Sequence, residues 1–189
     1  MSTIKFSAWF VSGLAYIPQP FGDFLAVVNG GAKYRDQNEK GYLSIYSVVT
    51  DANKVDLKLI RREQLILNGK ELFPRNIVYA GNDDLLFTDA EVGVCRISVK
   101  VSMKPTCIIP PKHVNGIRGI CLNDKGDIFV AGQESNNVVQ YSADGTLIGE
   151  IVNESHGLRK PLSLHYDSVR KFLFIGSDRF YASFMYVKM

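Results

Sequence analysis

The sequence predicts an antiparallel all-β repeat fold, and three observations carry that expectation. Short apolar runs rich in Val, Ile, Phe and Tyr alternate with clusters of Asn, Asp and Gly, the residue types whose backbone suits tight hairpins. Pairs of such runs, joined by a turn, recur four times along the 189 residues. Their spacing falls near the period at which small β-sheet units stack.

Taken in chain order, the first copy pairs residues 13–17 with 24–28 across a turn at 20–23, and 42–46 supply a third strand. Residues 29–40 read as an enlarged polar loop, and 50–70 as a further charged excursion. The second copy sets 76–79 against 85–89 across Gly81-Asn82-Asp83-Asp84, with a third strand at 94–97. The third copy has the clearest outline. Its strands are expected at 117–122, 128–131, 138–141 and 146–151, with turns at 123–127, 133–137 and 142–145. The run 128–131 is apolar throughout, as a strand buried on both faces would be. The fourth copy pairs 161–166 with 172–176, and 183–186 follow as a third strand.

The equivalent second-strand positions are Leu25, Leu86, Phe129 and Leu173, separated by 61, 43 and 44 residues. Four antiparallel strands in about 40 residues make one propeller blade. The expected fold is therefore an antiparallel β-propeller of about four blades, in one domain covering residues 1–189. The blade-like copies lie at 10–60, 72–110, 114–155 and 158–189. The last copy ends after its third strand. Residues 3–10 returning as a closing strand are one solution, and a partial arc of a larger propeller, with unpaired edges, is the other.

The third copy carries a resemblance to a known family. Residues 117–131 read IRGICLNDKGDIFVA, followed by a turn with Asn136-Asn137, then VVQY and SADG. This resembles the NHL repeat, whose pattern is close to I-A-V-D-x-x-G-x-I-Y-V-A-D, an Asn-rich turn, a strand and D-x-x-G. Gly132 stands where that family has Asp, whereas Asp89 in the second copy keeps it. The match is good over about 30 residues and loose over the rest. The resemblance implies a propeller, commonly six-bladed, of the kind found at the C-terminus of tripartite-motif proteins. There such domains recruit substrates for ubiquitination or bind RNA.

The chemistry-bearing residues point to binding. No G-x-S-x-G elbow, P-loop, G-x-G-x-x-G or H-E-x-x-H motif occurs. His113, His156 and His165 are the only histidines and occupy non-equivalent positions. Asp83, Asp84, Asp124 and Asp127 sit in turns, where hairpin chemistry explains them. Carboxylates facing a central channel would have to come from Asp89, Glu91 or Glu134. The expectation is no catalytic residue, no metal and no cofactor. A lactonase- or lyase-like hydrolytic propeller is the last alternative.

Three cysteines, Cys95, Cys107 and Cys121, lack CxxC spacing, which suits a reduced, cytoplasmic protein with Cys95 and Cys121 as packing residues. Residues 6–17 read as strand and turn rather than a signal peptide, and no apolar run reaches the roughly 18 residues of a membrane span. The net charge of +3 is modest. Within it, Arg75, Arg118, Arg159 and Lys160 recur where first strands begin, so a propeller would display them on one rim. Such a rim can grip phosphates or acidic side chains. RNA would also want stacking partners, for which Phe73, Phe180 and Tyr181 are candidates, with Tyr34 as a loop contact. Lys54, Lys58, Arg61 and Arg62 read as a solvated loop face. The function expected is protein–protein recognition by a monomer, as in substrate recruitment, with RNA binding as the alternative. No RING, B-box or coiled coil is encoded, so ligase activity is not expected in this chain.

Overall fold

The computed structural model describes residues 11–18, 23–30, 40–51, 54–178 and 184–189. Its first sheet contains β1 (Val11–Ile17), β2 (Asp23–Asn29), β3 (Tyr42–Asp51) and β4 (Lys54–Gln64). A miniature hairpin, β5 (Ile66–Leu67) and β6 (Lys70–Glu71), leads to the second sheet. That sheet holds β7 (Pro74–Gly81), β8 (Asp84–Asp89), β9 (Gly93–Ser98) and β10 (Ser102–Ile109). The third holds β11 (Ile117–Leu122), β12 (Ile128–Gly132), β13 (Asn137–Tyr141) and β14 (Leu147–Val152). β15 (Pro161–Asp167), β16 (Phe172–Ser177) and β17 (Phe184–Lys188) complete the fourth. Strands pair antiparallel in chain order, and the inner strands adjoin in series, β1 beside β7, β7 beside β11 and β11 beside β15. The chain is a four-bladed antiparallel β-propeller. Among the described residues no helix is long and apolar enough to cross a membrane.

Turn chemistry closes the hairpins as expected. Asn82 and Asp83 both adopt left-handed backbone, with φ of 50° and 63°, the signature of a two-residue hairpin loop. The side chain of Asn123 accepts hydrogen bonds from the amides of Lys125 and Asp127, each at 2.9 Å, while Gly126 takes φ 82°. Asp167 accepts from the amides of Val169 and Arg170 in the same way.

Two expectations change. The stretch 50–70 is not a charged excursion, because β3 continues to Asp51 and β4 is the fourth strand of blade 1. Blade 1 accordingly ends at Gln64 rather than near residue 60. The physical reason is a period of two: Val55, Leu57 and Leu59 alternate with Asp56 and Lys58, a half-exposed strand pattern. Lys58, Arg61 and Arg62 therefore stand on a strand and not on a loop. The closing strand expected at 3–10, residues 20–22 of the expected turn, and Tyr34, Phe180 and Tyr181 lie outside the described residues, while Asp23 of that turn begins β2.

Every inner strand carries an irregularity at the same place, next to its first residue. The register shifts between Val11 and Gly13, Pro74 and Asn76, Ile117 and Ile120, and Pro161 and Ser163. Such bulges bend a strand and re-aim the extra side chain. Just beyond them the blades come closest. A Cβ on Gly13 would lie 3.0 Å from the backbone of Asn76, and one on Gly119 would lie 3.0 Å from the carbonyl of Leu162.

Each sheet is apolar on the faces that meet its neighbours, and the described residues form three cores. Ala15, Ile17, Leu43 and Ile45 of blade 1 meet Ile77, Leu85, Phe87 and Cys95 of blade 2. Leu86 and Val94 meet Ile120, Ile128 and Val130 between blades 2 and 3. Phe129, Ala131 and Val138 meet Leu173 and Ile175 between blades 3 and 4. β12 thus sends successive side chains into opposite cores, as its unbroken apolar run implies.

Candidate functional site

The starts of the inner strands are tied blade to blade by side chains. Ser12 donates to the carbonyl of Pro74 at 2.7 Å, Thr88 donates to the carbonyl of Arg118 at 2.8 Å, and Asn136 accepts from the amide of Lys160 at 2.9 Å. The four cations predicted for a rim all lie at these strand starts, but their charges differ in availability. Arg118 donates through Nε to Gln133 at 2.8 Å. Arg159 is ion-paired with Glu154. Lys160 holds a left-handed backbone, φ 45°. Arg75, the bulged residue of β7, is half-buried, and its Nε has no hydrogen-bond partner. It lines a small hollow with Phe73, Asp89 and Glu91.

Asp89 is 3% exposed and accepts three backbone amides, from Phe73 at 2.7 Å, Glu91 at 2.8 Å and Val92 at 3.0 Å. The carboxylate therefore closes the connection into blade 2. In blade 3 the equivalent position is Gly132, where an added Cβ would lie 2.1 Å from Ser135 Oγ. Ser135 there accepts the amide of Asn115 at 3.0 Å and donates to Asn137 at 2.6 Å. A hydroxyl and an amide have replaced the carboxylate, which explains this departure from the repeat pattern. Of the other carboxylates considered for a channel, Glu91 pairs with Lys70 at 2.8 Å and Glu134 is exposed beside Gly116. The histidines stay apart. His156 caps a short 3-10 turn with Asn153, His165 stacks on Phe174, and His113 lies exposed in the connection before β11.

Cys95 and Cys107 are directly opposed across β9 and β10. Burial pushes both thiols up, and it pushes Cys121 up to about 12. Cys107 is exposed and its thiol donates to the carbonyl of Val92 at 3.3 Å, whereas the other two are buried. Alkylation of the native chain at about pH 8 is expected to add one label, at Cys107, more slowly than at a free thiol because less thiolate is present. Three labels are expected in denaturant. Intact-mass measurement checks this, and native labelling of Cys121 would contradict the burial described.

One hollow was not visible in the sequence. It lies between blades 1 and 2, lined by Ile17, Phe24, Ile45, Ile60 and Met103, with Arg61, Lys100 and Asp83 at its margin. Its volume is about 220 Å³, below the usual size of cofactor or drug-sized sites and suited to one large side chain. A wider trough shares Arg61 and Met103 with it and continues past Ile66, Val101 and Lys104. Arg61 pairs with Glu63 at 2.8 Å and Lys100 with Asp83 at 2.6 Å. Lys104 of β10 is exposed in the trough, so the charged lining holds three cations, Arg61, Lys100 and Lys104, against two carboxylates, Asp83 and Glu63. The signal lies in β4, whose basic residues suggest a solvated loop in the sequence and stand on a strand in the structure.

No family model matches the chain, and no curated protein does. Among solved structures the chain is similar to a chain in the crystal structure of a nidogen/laminin complex, with a TM-score of 0.60 at 14% identity. The likeness covers 88% of this chain and 56% of that one, so the chain spans little more than half the length of the protein it matches. It is a likeness of fold, and it agrees with the propeller described above.

Proposed function

We propose that the chain is a non-catalytic binding module that recognises a protein partner, taking an extended acidic segment in the trough between blades 1 and 2. The observation that carries this reading is the apolar socket of about 220 Å³ that adjoins the trough, with Arg61 and Lys100 at its margin. An extended peptide can place one large apolar side chain in such a socket and its carboxylates against the flanking cations. The solved chain of similar fold belongs to a complex between two proteins, which lends the reading modest support. Substrate recruitment of the tripartite-motif kind is one setting in which such a module would serve, and three unpaired thiols suit a reducing cytoplasm.

A peptide library displayed on phage and selected on the purified chain tests the proposal. The expected consensus is one large apolar residue flanked by Asp or Glu. Arg61→Glu combined with Lys100→Glu should weaken the selected peptide by about tenfold or more, while Arg75→Ala leaves it unchanged. A consensus without acidic residues, or affinity indifferent to the charge reversal, would sink it.

RNA binding at the strand starts is the second reading, favoured by Arg75 with its unpartnered Nε. It predicts affinity for a single-stranded RNA pool that falls steeply with salt and is lost in Arg75→Ala.

A further inference from the structure

Blade 2 carries a row of side chains running outward from its inner strand: Ile77, Phe87, Cys95 and Cys107. Each lies directly opposite the next, across the pairs β7–β8, β8–β9 and β9–β10, and side chains so opposed share a face of the sheet. The first three are buried in the first core, and Cys107 ends the row exposed on the outer strand. Directly opposed residues hold their Cα atoms about 4.5–5.5 Å apart, inside the range of about 4.4–6.8 Å that a disulfide spans. The two sulfurs are also within hydrogen-bonding reach of each other. The strand that bears Cys107 is irregularly paired. Its register against β9 shifts between Ser102 and Thr106, and again between Cys107 and Ile109.

We propose that Cys95 and Cys107 form a reversible redox site, a dithiol that a peroxide closes to a disulfide, pinning β10 to β9. In the first step the Cys107 thiolate attacks the peroxide O–O bond. Its sulfur takes one oxygen as a sulfenic acid, and the other oxygen leaves as hydroxide or alkoxide and takes up the proton that the thiol released. In the second step the Cys95 sulfur attacks the Cys107 sulfur. The S–S bond forms, the S–O bond breaks, and hydroxide leaves with the Cys95 proton as water. The two sulfurs together lose two electrons, and the peroxide gains them. Cys107 takes the first role because it is exposed. Burial raises its pKa, but the Ile109 amide and the Cys95 thiol donate to its sulfur and oppose that rise. Cys95, raised strongly by burial and closed into the core, suits the second role, in which its target lies beside it. Cys121 lies in the third core opposite Phe129, with no thiol across from it, and serves as an internal reference. β10 also brings Met103 and Lys104 to the trough, so the same bond would stiffen one of its walls. The inference needs no ligand there and stands apart from the proposed partner.

The full reduced chain, treated with a modest excess of hydrogen peroxide, is expected to lose two hydrogens in intact mass and to regain them with dithiothreitol. Peptide mapping should place the bond between Cys95 and Cys107. Alkylation in denaturant should then fall from the three labels of the reduced chain to one, at Cys121. Hydrogen exchange in β10 should slow by about tenfold on oxidation, because the bond stops the outer strand from opening alone. Cys95→Ala should replace the loss of hydrogen by a gain of oxygen on Cys107, which dithiothreitol does not reverse beyond the sulfenic stage. The mass and the map of the unmutated chain decide the matter even where that variant folds poorly. In urea the same oxidant should give a mixture of Cys95–Cys107 and Cys107–Cys121 bonds, since the two loops are of similar length. A folded chain that accumulates oxygen on Cys107 without a bond to Cys95 overturns the proposal. So does a bond to Cys121, a disulfide between two chains in place of the internal one, or a mass unchanged by peroxide. The same single bond in urea would also overturn it, because closeness along the chain and not the fold would then select the pair.

Discussion

Asp89→Ala is expected to destabilise the chain by about 3–4 kcal/mol, measured as a lowered urea midpoint with an unchanged slope. Three amides converge on a side chain that is 3% exposed, and removing it leaves buried donors without acceptors. Hydrogen bonds to a charged acceptor are worth about 1.5–3 kcal/mol each and do not add fully. Asp89→Asn should recover roughly half of the loss. Its single oxygen can serve the amides of Glu91 and Val92, which share Oδ1, but its NH₂ would then face the amide of Phe73, donor against donor. An Ala variant as stable as the parent would remove Asp89 from the structural role assigned here.

Phe129→Ala should cost about 3–5 kcal/mol, the range for deleting a fully buried ring. The side chain is fully buried in the third core and stacks on Tyr166 with centroids 6.2 Å apart. Because β12 also feeds Ile128 and Val130 into the second core, the cavity cannot collapse from that side without disturbing blade 2. Phe129→Leu should recover most of the loss by refilling the volume. A thermal or urea midpoint for the Ala variant within about 1 kcal/mol of the parent would mean that blade 4 contributes little to the core.

Blade 3 was the most legible part of the chain, since Asn123, Gly126 and Gly145 each mark a turn and β12 is apolar end to end. β4 is legible in principle through the alternation Val55, Leu57, Leu59, but the five charges from Lys54 to Arg62 obscure that pattern. The bulges were not legible. An extra residue changes no composition and appears only when two strands are laid in register. The rim was legible as positions and not as chemistry, because Glu154 and Gln133, which occupy Arg159 and Arg118, lie on turns whose paths the sequence does not specify. The trough was invisible for a similar reason. Its walls, β4 and β10, are some 40 residues apart and belong to strands that do not pair.

Three cores shared among four blades also make the chain a short one-dimensional array. Among the described residues, blades 2 and 3 each share two cores, whereas blades 1 and 4 each share one. In such arrays cooperativity passes only through nearest-neighbour junctions, and the ends open before the middle. The trough sits at the junction between an end blade and an interior one. A ligand seated there would therefore clamp blade 1 to the interior of the array.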